Sequence, residues 1–191
     1  MALASTLYDF QVTLSNVDRG VDQQLAFKVA RHPSETMERV WLRVLAMCWL
    51  WEERLVFGPG LSDPDAPDLE TRDYTNLVTR WVRVGRPDPA KIQRAVDQNG
   101  SATVCVLFDD PEAMKLFLAQ VADEKLNRVA KAQLAAVDPE FLKELASDEG
   151  RRHKLVVTLS GDHFYLDRKG ESFDGPLRSS ANLGASSDGA E

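Results

Sequence analysis

Two stretches of this chain concentrate side chains that could do chemistry. The first is Arg31-His32-Pro33-Ser34-Glu35-Thr36-Met37-Glu38-Arg39, and the second is an acidic set, Asp63, Asp65, Asp68 and Glu70. Carboxylates brought together from such stretches are the oxygen ligands that a hard divalent cation such as Mg²⁺ or Mn²⁺ takes. The acidic loop has no glycine where a calcium loop needs one, so it also reads as a set of solvated turns. Just downstream stand Arg80, Arg83, Arg86, Lys91 and Arg94, against the single acid Asp88. Lys91 and Arg94 are three apart and share a helix face. With Arg31 and Arg39 they would form a phosphate-contacting surface, or else a solvated face paired locally with the acidic loop. His32 could serve as a base or ligand, or simply accompany the helix cap. His153 and His163 lack ligand-like spacing.

The elements that must position these groups are legible in outline. Met37, Val40, Trp41, Val44, Leu45 and Cys48 recur at helical spacing, so a long helix is expected from about Glu35 to Glu52. Ser34, following Pro33, suits its N-cap, with Glu35 and Glu38 near the positive end of the helix dipole. Before it, Thr6–Leu14 and Leu25–Val29 alternate in polarity and predict an antiparallel hairpin with a polar connection over 15–24. Val56-Phe57 reads as a short strand, 58–68 as a Gly/Pro/Asp-rich loop and Leu77–Gly85 as a strand. Asp88-Pro89, Asp110-Pro111 and Asp138-Pro139 each place a capping acid before a proline suited to the first helical turn. The helices they open alternate with apolar runs at Ala102–Phe108 and Arg128–Ala136, the pattern of parallel strands joined by crossovers. A final hairpin, Lys154–Leu159 and His163–Leu166, turns at Ser160-Gly161-Asp162. The fold class expected is α/β, a mixed β-sheet flanked by helices, antiparallel at both ends of the chain and parallel in a βαβ middle. One domain is expected over 1–177, followed by a disordered Ser/Gly/Ala-rich tail over 178–191.

The 191 residues suffice for a core without disulfides, and Cys48 and Cys105 read as buried, reduced thiols. No apolar run approaches the roughly 20 residues of a membrane span, and Met1–Ser5 do not open a secretory signal, so a cytoplasmic protein is expected. A net charge of -7 argues against a surface that binds nucleic acid everywhere, while permitting a local basic patch. Phosphate loops, dinucleotide-binding glycine turns and nucleophile elbows are missing, which sets aside the enzyme classes built on them.

The block Arg31-His32-Pro33-Ser34-Glu35-Thr36-x-Glu38-Arg39, followed by Leu42-Arg43 and Leu45-Ala46, resembles the fingerprint of the bacterial YaeQ family. Glu53-Arg54-Leu55-x-Phe57, Gly60-Leu61 and Pro67-Asp68-Leu69 agree in order and spacing, as do Trp81-Val82-x-Val84-Gly85-x-Pro87-Asp88 and Ile92-x-Arg94-Ala95. The resemblance covers about residues 1 to 170. It implies a variant of the PD-(D/E)XK nuclease fold, in which helix and strand acids hold one or two Mg²⁺ ions that activate water and neutralise charge on the scissile phosphate. Carried over by position, Asp68 matches the family's Asp and Glu38, or Glu35, the helix acid. Lys91 would stand near the scissile phosphate, Arg31, Arg83, Lys91 and Arg94 would contact phosphates, and His32, Ser34 and Trp81 would line the pocket.

This chain departs from the family pattern at Arg83, where an acid is usual, and at Thr79, where another is. Gly85 stands where the nuclease superfamily carries its Lys. A cationic group about 5 Å from a divalent ion repels it by roughly 6 to 7 kcal/mol at an effective dielectric near 20. Arg83 is therefore expected to pair with Asp68 or to meet a phosphate, and a metal would need Glu70 or Asp65 as a substitute ligand. Two functions follow: a Mg²⁺- or Mn²⁺-dependent nuclease of altered motif, or a protein that binds DNA, RNA or another protein through the same concavity without chemistry. Position 83 favours the second.

Overall fold

In the computed structural model, which describes residues 5–60, 63, 65–148 and 150–181, the sequence forms one ten-stranded sheet flanked by four helices. The strand order is β2-β1-β8-β9-β10-β7-β6-β5-β4-β3. β1 (Thr6–Asn16) and β2 (Val21–Arg31) pair antiparallel from Thr6↔Arg31 to Asn16↔Val21. The hairpin turn therefore spans only 17–20, closed by Gly20 at φ +63°, and not the ten-residue connection expected. Asp22, Gln23 and Gln24 belong to an edge strand, where polar side chains meet water and the ladder continues regardless. On β1 the alternation holds: Tyr8, Phe10, Val12 and Leu14 are buried.

α1 (Met37–Leu50) follows as the central helix. Its N-cap is Thr36, whose hydroxyl accepts from the Arg39 amide, and not Ser34. The Ser34 hydroxyl is already engaged 2.7 Å from His32 Nδ1. From Val40 to Cys48 every residue of α1 is buried, Arg43 included, so the helix is enclosed on all sides. β3 (Val56–Phe57) leads through the 58–68 segment, part of it outside the described residues, to β4 (Leu69–Arg72) and β5 (Val78–Val84). β4 was not expected. Its four residues bury only Leu69 and Thr71 and carry two charges, too little pattern to read.

The middle of the chain is the expected crossover series. β5, β6 (Thr103–Phe108) and β7 (Gln133–Val137) are parallel, linked by α2 (Pro89–Gln98) and α3 (Pro111–Asp123). Asp88, Asp110 and Asp138 cap α2, α3 and α4 (Pro139–Ala146) through their carboxylates, with proline in each first turn. The run at 128–136 is a 3-10 turn (Asn127–Lys131) before β7, not one strand. β8 (Arg152–Leu159) and β9 (His163–Arg168) form the expected hairpin. β8 also lies parallel to β1, so the chain's two ends share a sheet.

β10 (Glu171–Ser179), also unexpected, joins the two halves of the sheet by pairing with β9 and β7. Pro176 and Gly175 hid it, yet Gly175 is what lets the strand approach α4: a Cβ there would collide with Phe141. The boundary expected at 177 falls inside this strand. The rest of the expected tail, 182–191, and residues 1–4 of the expected signal-free start lie outside the described residues.

One core, packed around Trp41, Leu45 and Phe10, lies between the sheet and α1 and α4. The other, with Ile92, Phe108 and Met114, lies on the opposite face under α2 and α3. At ~1.5–3 kcal/mol per large buried apolar side chain, these two layers fix β5 from both sides. Among the described residues no helix is long and apolar enough to cross a membrane.

Candidate functional site

The charged groups converge where α1 begins and where β5 faces the segment before β4. Glu35 is 2% exposed. Its Oε1 accepts from Arg39 Nη1 at 2.8 Å, and its Oε2 from Arg43 Nη2 at 2.7 Å and the His32 amide at 3.2 Å. Its backbone carbonyl takes Arg31 Nε at 2.8 Å. Asp68 is fully buried. Its Oδ1 accepts from Arg39 Nη2 at 2.7 Å and its Oδ2 from the Val84 amide at 2.9 Å, with Arg83 Nε 3.8 Å away. Arg39 thus bridges the two carboxylates, and three guanidinium groups (Arg39, Arg43, Arg83) face two acids.

Backbone geometry holds Asp68 in place. Its amide donates to the Val82 carbonyl at 2.8 Å, and its carbonyl accepts from the Gly58 amide at 2.9 Å. Gly58 cannot be replaced without displacing the Pro67 carbonyl, which occupies the space a Cβ would need. Arg83 Nη1 donates to the Ala66 carbonyl, tying β5 to the same segment. Burial disfavours the charge on Arg39, but Asp68 and Glu35 outweigh it and hold its pKa above the ordinary value. For Arg43 burial prevails over the attraction of Glu35 and Asp68, and its pKa is lowered.

The expected ligands do not form a metal centre. Glu38 is exposed on the first turn of α1, and Glu70, on β4, is paired with Arg72 at 2.9 Å. Asp65 lies in the exposed loop against Lys91 at 3.3 Å. Among the described residues no group of three or more His, Cys, Asp or Glu is placed to hold an ion. The charge arrangement gives the reason. Mg²⁺ or Mn²⁺ wants several free oxygens in octahedral array, whereas those of Glu35 and Asp68 already accept from guanidinium or backbone N–H groups. The residues present do not fit the metal that the nuclease resemblance implied.

What the fold does bring together is a pair of adjoining cavities. The first, about 150 Å³, lies between β5 and α2 and contains Trp81, Arg83, Lys91 and Arg94 among its walls. The second, about 310 Å³, lies beside α1 and is lined by Glu38, Arg39, Arg83 and Arg86 among others. Arg83 and Pro87 line both. His32 and Ser34, bonded to each other, line neither, and Arg31 is turned toward the Glu35 carbonyl and Tyr8. Sequence reasoning missed Arg43, although Arg39 and Arg43 are spaced four apart on one face of α1, with Glu35 standing just before its cap.

Comparison with known proteins places this architecture. Residues 1–175 match the family model described as YaeQ protein. The chain belongs to the YaeQ family. It is 31% identical over 166 residues to the uncharacterized protein YaeQ of Salmonella typhi, covering 87% of this chain and 90% of that one. It is 30% identical, with the same coverage, to the uncharacterized YaeQ of Escherichia coli K12. The crystal structure of YaeQ from Xanthomonas axonopodis pv. citri superposes with a TM-score of 0.83 at 25% identity, over 92% of this chain and 98% of that one. That of YaeQ from Pseudomonas syringae gives 0.81 at 29% identity, over 92% and 96%. The mixed sheet with its four helices is therefore a YaeQ fold.

Proposed function

We propose that this YaeQ protein is a cytoplasmic nucleic-acid-binding protein with a PD-(D/E)XK-like framework whose metal site has been converted into an arginine-neutralised core. The observation that carries this reading is Arg39 spanning Glu35 and Asp68, with Arg43 and Arg83 completing the set. A nuclease centre needs carboxylates free to hold a cation, and here they hold guanidinium groups instead. The cations that line the cavities, Arg83, Arg86, Lys91 and Arg94, outnumber the acids Glu38, Asp65 and Asp109 there, the last of them bonded to Arg86 at 2.8 Å, and leave the concavity basic on a chain of net charge -7. That suits the backbone of one strand, DNA or RNA, recognised through its phosphates and without hydrolysis.

The test is fluorescence anisotropy with labelled single-stranded, duplex and protein ligands across a salt series. Three to four phosphate contacts on a single strand give a slope of about -2 to -3 in log K against log salt. Absent or salt-insensitive binding of every nucleic acid refutes the reading, and binding of protein alone replaces it. Incubating a labelled strand with Mn²⁺ or Mg²⁺ is the second arm. Cleavage by the native protein that is lost in Asp68→Asn would overturn the claim that the site is without chemistry.

A further inference from the structure

The smaller cavity has a charge balance and a shape that a simple backbone groove does not require. Pro87, Ile92, Ala95 and Trp81 give its lining an apolar part, and Gln98 and Asn99 add neutral polar groups. Three cations, Arg83, Lys91 and Arg94, line it against one acid, Asp65. Lys91 and Asp65 form an exposed pair at 3.3 Å. Arg94, among the described residues, has neither an ion-pair nor a hydrogen-bond partner. Among the described residues the lining of this space of about 150 Å³ therefore offers Lys91 and Arg94 against Asp65, with Arg83 beside them also engaged by the Ala66 carbonyl and 3.8 Å from Asp68.

Resting on the binding function proposed above, we propose that this cavity is an end site that takes a terminal phosphomonoester on a nucleoside. A phosphodiester carries one negative charge, whereas a terminal monoester carries ~1.5 to 2 near neutral pH and three acceptor oxygens. Two cations at the lining, Lys91 with an exposed and exchangeable partner and Arg94, suit the more highly charged monoester. The guanidinium of Arg94 supplies a planar fork of donors, and Lys91 exchanges its exposed Asp65 partner for phosphate oxygen. The apolar wall receives the terminal sugar or base, and the next phosphate passes over Arg83 and Pro87 into the larger cavity beside Arg86.

The experiment uses the full chain and one ten-nucleotide labelled strand carrying a 5′-phosphate, a 3′-phosphate or only hydroxyl ends. Binding is competed with nucleoside monophosphates and inorganic phosphate. One phosphorylated end is expected to bind about tenfold tighter than the hydroxyl-ended strand, and Arg94→Gln to reduce that ratio to about one. Asp65→Asn, at an exposed position, is expected to raise it about threefold by releasing Lys91, a gain that misfolding cannot mimic. Free nucleoside monophosphates that bind as tightly as the strand would make the occupant a mononucleotide with the same end group. Salt-dependent binding of all three strands with equal affinity would overturn the end site and leave the binding function standing. No binding of any strand would remove both.

Discussion

Glu35→Gln tests whether the carboxylates of the cluster are consumed by the fold or held apart for chemistry. The substitution keeps the shape and leaves an amide oxygen that can still accept from Arg39 and Arg43, but it removes one of two negative charges facing three cations. At about 4 Å and an effective dielectric near 20, a charge pair is worth about 4 kcal/mol. Glu35 has two such partners at 2.8 and 2.7 Å, and its side chain is only 1% exposed. Breaking one side of a buried pair costs ~3–5 kcal/mol, and that is the loss expected in urea unfolding with an unchanged m-value. For a domain of this size each kcal/mol moves Tm by ~2–4 °C, so a fall of about 6–20 °C should accompany it. Acids crowded together for metal binding behave oppositely: they repel one another without the ion, and neutralising one stabilises the protein. A Glu35→Gln variant as stable as the parent, or more stable, would refute the claim that the cluster is compensated.

Three further outcomes follow from the same geometry. Arg83→Glu reverses the excess from one guanidinium to one carboxylate beside Asp68, and calorimetry should then detect Mn²⁺ at a Kd of about 1 mM or tighter; a correctly folded variant without such binding would mean that position 83 does not govern the site. His153 is buried 4.8 Å from the Phe10 ring, and burial, opposed by Asp148, lowers its pKa from 6.5. Its folded pKa lies below its unfolded one, so the stability it lends is complete above about pH 6.5 and lost as pH falls toward the folded value; the melting temperature should decline in that window and decline less in His153→Phe, whereas the loss from Asp148, whose pKa is lowered by the Gly150 amide, begins only below about 3.8. The Cys48 thiol is pushed up to about 12 by complete burial, so at pH 8 a thiol reagent should label neither it nor the buried Cys105 until denaturant is added, and rapid native labelling would contradict the enclosed α1.

What the sequence disclosed, and what it concealed, divides along physical lines. Elements specified locally were readable: the strict alternation of β1, the apolar stripe of α1, and three Asp-Pro caps that announce α2, α3 and α4. Elements specified by partners were not. β4 exists because β5 and β3 flank it, and β10 because β9 and β7 do, although its own Gly175 and Pro176 argue against a strand. At the site, Arg83 was expected to pair with Asp68 or to meet a phosphate, and its Nε stands 3.8 Å from the Asp68 carboxylate. The larger role of Arg39 and Arg43 was concealed, because nothing in a sequence says which of two guanidinium groups a folded carboxylate will accept from.

That concealment bears on what position 83 does. Arg39 and Arg43 alone would balance Glu35 and Asp68, so a neutral residue at 83 would leave these four groups a closed set without net charge. An arginine there adds a cation that the set does not need for neutrality, and it stands where the two cavities meet. Arg83 is only partly buried, donates to the Ala66 carbonyl and stands 3.8 Å from Asp68, so its charge is in reach both of the fold and of a ligand in either cavity. Arg83→Met separates these roles: it keeps much of the bulk of the side chain and removes its charge. If the charge serves a ligand, this variant should match or exceed the parent in urea stability while its nucleic-acid affinity falls about tenfold and its salt slope flattens by about 0.7. An Arg83→Met protein that loses stability instead, with binding intact, would show that the third guanidinium serves the fold.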